Sequence, residues 1–141
     1  MNRQPRILYV DNDGASREFL GRWLTRQVSG CRVTSVENSA EALDEIEKGA
    51  FDLYILEYCV GDMTGPELCR RIRSNDTSTP VIICSALARE IDRNKSLSSG
   101  ATEYIVKPDD LEKFVRMLRK MFGGPPRRRP FHTLRRCSTI I

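Results

Sequence analysis

The amino-acid sequence predicts the α/β fold class, with a doubly wound parallel sheet of five strands and five helices. Four short apolar runs, typical of strands buried on both faces of a sheet, and one alternating run, typical of a more exposed strand, are each bounded by polar or turn residues. A stretch with apolar residues at helical spacing follows each run. Strands and helices that alternate in this way imply right-handed βαβ units, with helices packed on both faces of the sheet.

The first two strand–helix units lie within residues 7–49. The predicted strands are residues 7–10, which are continuously apolar, and residues 32–36, which alternate like a more exposed strand. The apolar residues at helical spacing after the first strand are Phe19, Leu20, Trp23, Leu24 and Val28. After the second strand, Asn38 or Ser39 can cap a helix that ends at Gly49. The apolar residues of that helix are Ala42, Leu43 and Ile46.

Three further units complete the predicted sheet. Their strands are residues 53–56, 80–85 and 103–106. Pro66 opens the third helix, whose apolar face consists of Leu68, Cys69 and Ile72. Ile91 and Leu97 mark a more polar fourth helix, and Asp109 or Asp110 can cap the fifth. The residues predicted to face inward from the fifth helix are Leu111, Phe114, Val115, Leu118 and Phe122.

The composition fits one globular domain. The chain has 141 residues, of which 40% are hydrophobic and 30% are charged. A domain of this length buries about two thirds of the surface that its unfolded chain exposes. No apolar stretch approaches the roughly 20 residues that span a bilayer, and the N-terminus lacks the apolar core of a secretory signal. We therefore expect a cytoplasmic protein with no membrane span.

Cysteine and histidine usage narrows the chemistry further. The five cysteines are scattered and show no C-x-x-C spacing, so the sequence indicates neither a disulfide framework nor a zinc site. The single histidine, His132, lies near the C-terminal end. A Ser-His-Asp triad and a histidine metal cluster are therefore excluded from the folded body.

Positive charge is concentrated at the C-terminal end of the sequence. Five of the 23 Lys and Arg residues lie in residues 123–141, which hold no acid. Residues 1–122 then hold 18 basic and 19 acidic residues, a nearly neutral domain without the footprint of a nucleic-acid-binding face. Residues 123–141 are predicted to be a flexible basic tail rich in Pro and Arg. Such a tail is expected to bind nucleic acid weakly at most, and it holds no second domain.

Polar residues stand at the carboxyl ends of four predicted strands. They are Asp11, Asn12, Asp13, Glu57, Ser85 and Lys107. Because the carboxyl ends of parallel strands meet at one edge of a sheet, we expect these side chains to converge on one pocket. Acids that can hold a divalent cation, together with a hydroxyl and an ammonium group, suit a site for a phosphoryl group.

Four motifs in this order resemble those of the receiver domains of two-component response regulators. The motifs are I-L-Y-V-D-N-D, D-L-Y-I-L-E-Y-C-V-G-D-M-T-G, I-I-C-S-A and E-Y-I-V-K-P, and the resemblance covers residues 6–122. It implies a flavodoxin-like fold with strand order 2-1-3-4-5. It also implies that typical members take a phosphoryl group from a histidine kinase onto an aspartate, using magnesium. They then rearrange the face formed by helix 4, strand 5 and helix 5.

When the family's motifs are carried over residue by residue, this sequence departs from them at two acidic positions and at Val60-Gly61, which replaces the usual Met-Pro. Glu57 stands at the position of the phosphoacceptor aspartate, and Asn12 stands at that of the second acid of the metal-binding pair. The matching positions are Asp11 as the first acid, Cys59 as a backbone-carbonyl ligand, Ser85 as the switch hydroxyl, Tyr104 as the switch aromatic and Lys107 as the ammonium. The implied magnesium site is thus altered at two of its members.

Both departures at the acidic positions oppose phosphorylation at residue 57. Glutamate is longer than aspartate by one methylene, about 1.5 Å, which moves the carboxylate into the space of a phosphoryl group, and in-line transfer tolerates misplacement poorly. Asn12 removes a negative charge, so we expect magnesium to bind weakly or not at all. The sequence therefore predicts a pseudo-receiver that is not an enzyme. It would contact a histidine kinase or a downstream effector through the helix 4–strand 5–helix 5 face.

Two other functions stay open at this stage. A conventional phosphorylated regulator would use another carboxylate, namely Asp11, Asp13 or Asp62. A phosphatase similar to the haloacid dehalogenases would use the D-x-D of residues 11–13 together with Ser85, Lys107 and Asp109-Asp110. The sequence specifies neither a particular kinase nor an oligomeric state.

Simple structural roles also stay open for several of these residues. Glu57 and Lys107 would then form an ordinary polar pair at a strand end. Asp13 would only cap the first helix. Tyr104 would be a static aromatic residue of the core, whose hydroxyl needs a single partner.

Overall fold

A computed structural model describes residues 3–123 and contains one five-stranded parallel sheet in the order β2-β1-β3-β4-β5. The strands are β1 (Arg6–Val10), β2 (Arg32–Val36), β3 (Leu53–Glu57), β4 (Val81–Ser85) and β5 (Glu103–Val106). The helices are α1 (Gly14–Gln27), α2 (Ser39–Lys48), α3 (Gly65–Arg73), α4 (Glu90–Ser98) and α5 (Leu111–Phe122). The predicted fold class and strand order are confirmed.

The sheet separates two apolar layers. Because successive strand residues point to opposite faces, one strand supplies both layers. Ile7 and Ile55 pack in one layer with residues of α1 and α5, whereas Leu8 and Leu56 pack in the other with residues of α2 and α3. Burial on both faces explains why β1, β3 and β4 are almost continuously apolar in sequence. The edge strand β2 is more exposed, as its alternating sequence predicts.

The register of the sheet aligns the carboxyl ends of its strands. Val10 at the end of β1 pairs with Leu56 of β3. Glu57 is opposite Cys84, and Ser85 is opposite Val106. The polar residues that follow these positions therefore lie along one edge of the sheet.

Side-chain caps fix where the first three helices begin. Asp13 accepts the N–H of Ser16 at 2.8 Å, so it caps α1. Asn38 caps α2 by accepting the N–H of Glu41 at 2.8 Å, which decides between the two predicted caps. Thr64 forms a reciprocal capping box at α3.

The fifth helix begins differently from the prediction. Asp110 occupies the cap position of α5, but its carboxylate makes no cap bond to the helix. It accepts the N–H of Val106 at 2.9 Å instead. The side chain therefore ties the turn after β5 back to the strand.

Two apolar residues assigned from helical spacing are exposed. Phe19 is 71% exposed. The buried stripe of α1 runs through Leu20 and Leu24, and Phe19 lies one residue, about 100° around the helix, from it. The prediction that Leu111 faces inward is wrong, because it is 40% exposed. Leu111 is the first residue of α5, and the buried positions of that helix, Phe114 and Leu118, begin one turn later.

Gly65 permits a close approach between the start of α3 and the tip of β3. A Cβ atom at this position would lie 2.7 Å from the backbone oxygen of Glu57. Real Cβ atoms do not approach a backbone oxygen so closely. The glycine therefore allows the loop after Glu57 to fold back over the strand end.

Among the helices of residues 3–123, none combines the length and the apolarity needed to cross a membrane. The predicted division into a domain of residues 1–122 and a tail of residues 123–141 stays a prediction. Residues 1–2 and 124–141 lie outside the described residues. The expectations about the basic tail and His132 fall there as well.

Candidate functional site

An ion pair stands at the carboxyl edge of the sheet. Lys107 donates from Nζ to Oε1 of Glu57 at 2.8 Å. The side chain of Glu57 is 17% exposed and that of Lys107 is 31% exposed. The structure thus brings together the residue at the phosphoacceptor position and the matching ammonium group.

Burial and charge shift the pKa values of Glu57 and Lys107 in opposite directions. Burial raises the pKa of Glu57, although the hydrogen bond and charge of Lys107 pull it down. Burial also disfavours the charged form of Lys107, but the hydrogen bond and charge of Glu57 outweigh it and raise the pKa of Lys107. Lys107 therefore stays an ammonium throughout the neutral pH range.

Asp11 is 2% exposed, and both of its carboxylate oxygens have partners. The backbone N–H of Asp13 donates to Oδ1 at 3.0 Å, and the hydroxyl of Tyr9 donates to Oδ2 at 2.5 Å. Arg17 donates to the backbone oxygen of Asp11 at 2.7 Å. Asp11, the first acid of the predicted metal site, is therefore bonded by Tyr9 of β1 and by Arg17 of α1.

Asn12 is exposed and lies under the loop that follows β3. A Cβ atom on Gly61 would be 3.8 Å from Cβ and Nδ2 of Asn12, which is ordinary contact distance. The same loop carries Cys59, whose side chain is exposed and whose backbone pairs with Thr64 in an isolated bridge. The two remaining members of the predicted metal site are thus exposed residues of the segments that follow β1 and β3.

Asp13 and Asp62 are engaged away from the Glu57–Lys107 pair. Asp13 caps α1, and its hydrogen bonds to Ser16 lower its pKa. Asp62 accepts the hydroxyl of Ser39 at 2.5 Å and the N–H of Ser39 at 3.2 Å. The bond from the hydroxyl is the largest influence on the pKa of Asp62, which is lowered. Asp62 thereby fastens the loop after β3 to the start of α2.

Ser85 and Tyr104 meet at one residue, Leu87. Oγ of Ser85 accepts the N–H of Leu87 at 3.0 Å. The hydroxyl of Tyr104 donates to the backbone oxygen of Leu87 at 2.6 Å. Tyr104 is fully buried, and the guanidinium of Arg93 lies 5.4 Å from the centre of its ring. The two predicted switch residues therefore hold the segment between β4 and α4 from both sides.

Tyr58 links this segment to the ion pair. It follows Glu57 directly, and its ring packs edge-on against Tyr104 with the ring centres 6.4 Å apart. Asp92 of α4, which is buried, accepts two bonds from Arg89 at 2.7 and 3.2 Å. Burial, followed by the charge and hydrogen bond of Asp92, raises the pKa of Tyr58.

The sequence analysis missed Tyr9, Arg17 and Tyr58 as parts of the site. Tyr9 had a usable signal, because residues two apart in a strand share a face and Tyr9 precedes Asp11 by two. Arg17 and Tyr58 gave no comparable signal. Their contacts depend on how α1 and α4 are placed against the sheet.

A buried thiol lies beside the charged residues. Cys84 is fully buried in β4, opposite Glu57 in the register of the sheet. Burial raises the pKa of its thiol to about 12. Cys84 is therefore a neutral, apolar wall of the pocket at physiological pH.

The side chains do not fit the magnesium ion that the resemblance implies. Magnesium prefers anionic oxygens in near-ideal octahedral geometry. Asn12 contributes no charge, one oxygen of Glu57 binds Lys107, and the bonds from Tyr9 and Asp13 use part of the lone-pair capacity of Asp11. Within residues 3–123, no three His, Cys, Asp or Glu side chains are grouped so that they could hold a metal ion.

Comparison with known proteins gives a consistent result. Residues 7–119 match the family of the response regulator receiver domain. The chain is 34% identical over 121 residues to the response regulator ArlR of Staphylococcus epidermidis, covering 85% of this chain and 53% of that protein. It is also 34% identical over 116 residues to the response regulator MprA of a Mycobacterium species, covering 82% and 50%. The chain spans about half the length of these relatives.

Solved structures agree with the fold. A two-component response regulator from Clostridium difficile superposes with a TM-score of 0.76 at 27% identity, covering 84% of this chain and 95% of that one. The receiver domain of Francisella response regulator 1452 gives a TM-score of 0.71 at 28% identity, covering 83% and 98%. The fold and the positions of the candidate site residues can therefore be interpreted within one family.

Proposed function

Because the chain belongs to the response regulator receiver domain family, we propose that it is a signalling receiver that acts through protein contact without phosphorylation of residue 57. The Glu57–Lys107 ion pair is the observation that supports this proposal most strongly. It places a carboxylate and its counter-charge in the pocket where the family resemblance implies a phosphoryl group.

The length of Glu57 argues against phosphoryl transfer to it. An acceptor carboxylate must present a free oxygen in line with the leaving group, and small displacements of the reacting atoms are costly. Glu57 extends about 1.5 Å further than an aspartate and is bonded to Lys107 through Oε1. One of the three N–H donors of Lys107 is thereby used within the protein, and its charge is paired.

Weak magnesium binding is part of the same proposal. The pocket keeps one of the two acids that the family places at the end of strand one, because Asn12 is neutral. Asp11 is bonded at both oxygens. Fewer free anionic oxygens lower the affinity for a cation that gives up its water reluctantly.

We assign the output to the face formed by α4, β5 and α5. Leu87 exposes an apolar side chain on the segment that Ser85 and Tyr104 hold, and Ile91 exposes one in the first turn of α4. A histidine kinase or a downstream effector in the cytoplasm is the partner that fits a two-component receiver. The geometry of the pocket would hold this face in one arrangement instead of switching it.

A conventional regulator that uses another carboxylate is the second candidate. Asp11, Asp13 and Asp62 are each engaged in hydrogen bonds within the protein. The phosphatase alternative needs a flap after the first strand, whereas α1 begins at Gly14, directly after Asp13. We therefore favour the receiver that works without phosphorylation.

Incubation with acetyl phosphate and magnesium tests the proposal. We expect the natural protein to gain no phosphoryl group by intact-mass spectrometry. The double variant Asn12→Asp/Glu57→Asp is expected to gain one, because it restores a shorter acceptor and a second acid. Glu103→Asp is the matched control, since it shortens a glutamate that pairs with Lys113. Magnesium-dependent phosphorylation of the natural protein would contradict the proposal, and Asp11→Asn, Asp13→Asn and Asp62→Asn would then locate the acceptor.

A further inference from the structure

A buried tyrosine hydroxyl contacts the aspartate that follows β1. Tyr9 is the last residue but one of β1, lies between Ser35 of β2 and Ile55 of β3, and is fully buried. Its hydroxyl donates to Oδ2 of Asp11 at 2.5 Å. The resemblance assigns no role to this residue, and the proposed function uses only the fact that it bonds Asp11.

A tyrosine in the middle of an apolar strand needs a specific reason. Burying a hydroxyl is unfavourable unless it finds a hydrogen-bond partner. Tyr9 finds that partner in Asp11, and burial followed by this bond raises its pKa far above the ordinary range. The phenol is therefore a permanent neutral donor that points at the acid from inside the core.

The same bond stabilises the buried carboxylate of Asp11. A carboxylate that is 2% exposed is unstable unless its oxygens are bonded. Hydrogen bonds to a charged group are the strong ones, and short O–H to carboxylate bonds are typical of them. With Asp13 N–H on Oδ1 and Tyr9 on Oδ2, Asp11 is satisfied by the protein alone.

We propose that Tyr9 is a positioning residue that takes the place of a divalent cation at Asp11. It turns Oδ2 toward the core and satisfies it, as Lys107 satisfies Glu57. The pocket then holds its shape without a metal ion. This inference rests on the proposed function in one respect, which is that the natural protein works without magnesium.

The opposite role for Tyr9 would be to strengthen metal binding at Asp11. Groups that hydrogen-bond a metal ligand from behind normally orient it and strengthen metal binding. If Tyr9 acts in this way, removing its hydroxyl weakens the metal site. If Tyr9 replaces the cation, removing its hydroxyl frees Oδ2 and strengthens metal binding. The two roles therefore predict changes of opposite sign.

Magnesium titration of two restored variants separates these roles. Asn12→Asp/Glu57→Asp is compared with Tyr9→Phe/Asn12→Asp/Glu57→Asp, with the amide signals of Asp13 and Ser85 followed by NMR. We expect the dissociation constant for magnesium to fall about tenfold when the Tyr9 hydroxyl is removed, the low end of what groups bonded to a metal ligand contribute. A weaker or an unchanged affinity would overturn the proposal.

Tyr54→Phe in the same restored background is the matched control. Tyr54 is also a buried tyrosine of the sheet, but its hydroxyl is paired with Asp76, away from the pocket. We expect this substitution to leave the magnesium affinity unchanged. An equal gain with Tyr54→Phe would show a general loosening of the core and would also overturn the proposal.

A second measurement covers the case in which the triple variant folds poorly. In the natural background, Tyr9→Phe leaves Asp11 with an unsatisfied oxygen. Magnesium is then expected to raise the melting temperature of Tyr9→Phe and not that of the natural protein. The absence of any difference between the two proteins would contradict the role of Tyr9. A magnesium response of the natural protein itself would instead contradict the proposed function.

Discussion

Replacing Lys107 with methionine is expected to destabilise the domain by about 1.5–3 kcal/mol at neutral pH. Methionine keeps most of the apolar stem but removes the ammonium that bonds Glu57 at 2.8 Å. Glu57 would remain with only 17% of its side chain exposed and without a counter-charge. Leaving a largely buried carboxylate without its counter-charge costs more stability than the intact pair contributes.

The stability lost in Lys107→Met should depend on pH in a defined direction. Burial already raises the pKa of Glu57 above 4.5, and removing Lys107 removes the influence that pulls it down. A raised carboxyl pKa means that the folded state binds more protons, so its contribution is present below pH 4.5 and is lost as pH rises through the folded-state pKa. The difference between the natural protein and Lys107→Met should therefore be small in acid and full at neutral pH.

At alkaline pH the difference should shrink again. The pKa of Lys107 is raised above 10.5, so its contribution is present below that value and is lost as pH rises through the folded-state pKa. Urea unfolding at several pH values measures both limbs. Lys113→Met is the control, because Lys113 pairs with Glu103 at 3.3 Å near the surface. That pair should contribute less than about 1 kcal/mol. A flat pH dependence for Lys107→Met would contradict the role of the ion pair.

Truncating Tyr104 should have the largest effect on stability. Tyr104 is fully buried and packs against Tyr58, so Tyr104→Ala should cost about 3–5 kcal/mol through lost contacts and a cavity. Tyr104→Phe removes only the bond to the oxygen of Leu87 and should cost about 0.5–1.5 kcal/mol. Urea unfolding compares the two variants, and a loss for Tyr104→Ala no larger than for Tyr104→Phe would contradict the packing role.

Hydrogen exchange on Tyr104→Phe tests what the hydroxyl does for the proposed output face. We expect faster exchange at Leu87 and in the first turn of α4, because Leu87 is held by Ser85 and Tyr104 together. Helix α1, which packs on the opposite face of the sheet from Tyr104, should be unaffected. Leu97→Ala is the control, since Leu97 is an exposed residue of the same helix. Unchanged exchange at Leu87 in Tyr104→Phe would mean that Tyr104 is a static core residue.

The strand ends were the most predictable part of the site. Parallel strands of similar length end at one edge, so the order of the apolar runs was enough to bring Asp11, Glu57, Ser85 and Lys107 to one edge of the sheet. The Glu57–Lys107 contact follows from that placement because the two residues carry opposite charges at the ends of β3 and β5, the strands on either side of β4. The sequence of the strand ends and the topology of the sheet therefore both place these residues at the same edge.

Contacts between distant segments were not predictable in the same way. Asp62 bonds Ser39 across 23 positions of sequence, and no local pattern pairs a loop aspartate with the first residue of another helix. Phe19 and Leu111 were misjudged for a related reason. Helical spacing gives the angle of a side chain around its helix but not where the sheet stops covering that helix.

Beryllofluoride and magnesium titration followed by amide NMR tests the central claim most directly. The natural protein is compared with Glu57→Asp and with Asn12→Asp/Glu57→Asp, and the signals of Ser85, Leu87 and Tyr104 are followed. We predict no site-specific shifts in the natural protein and clear shifts in the double variant, because only the latter has the acids for magnesium and room for the phosphoryl mimic. Site-specific shifts of the natural protein at low millimolar magnesium would show a working phosphoryl site and contradict the account.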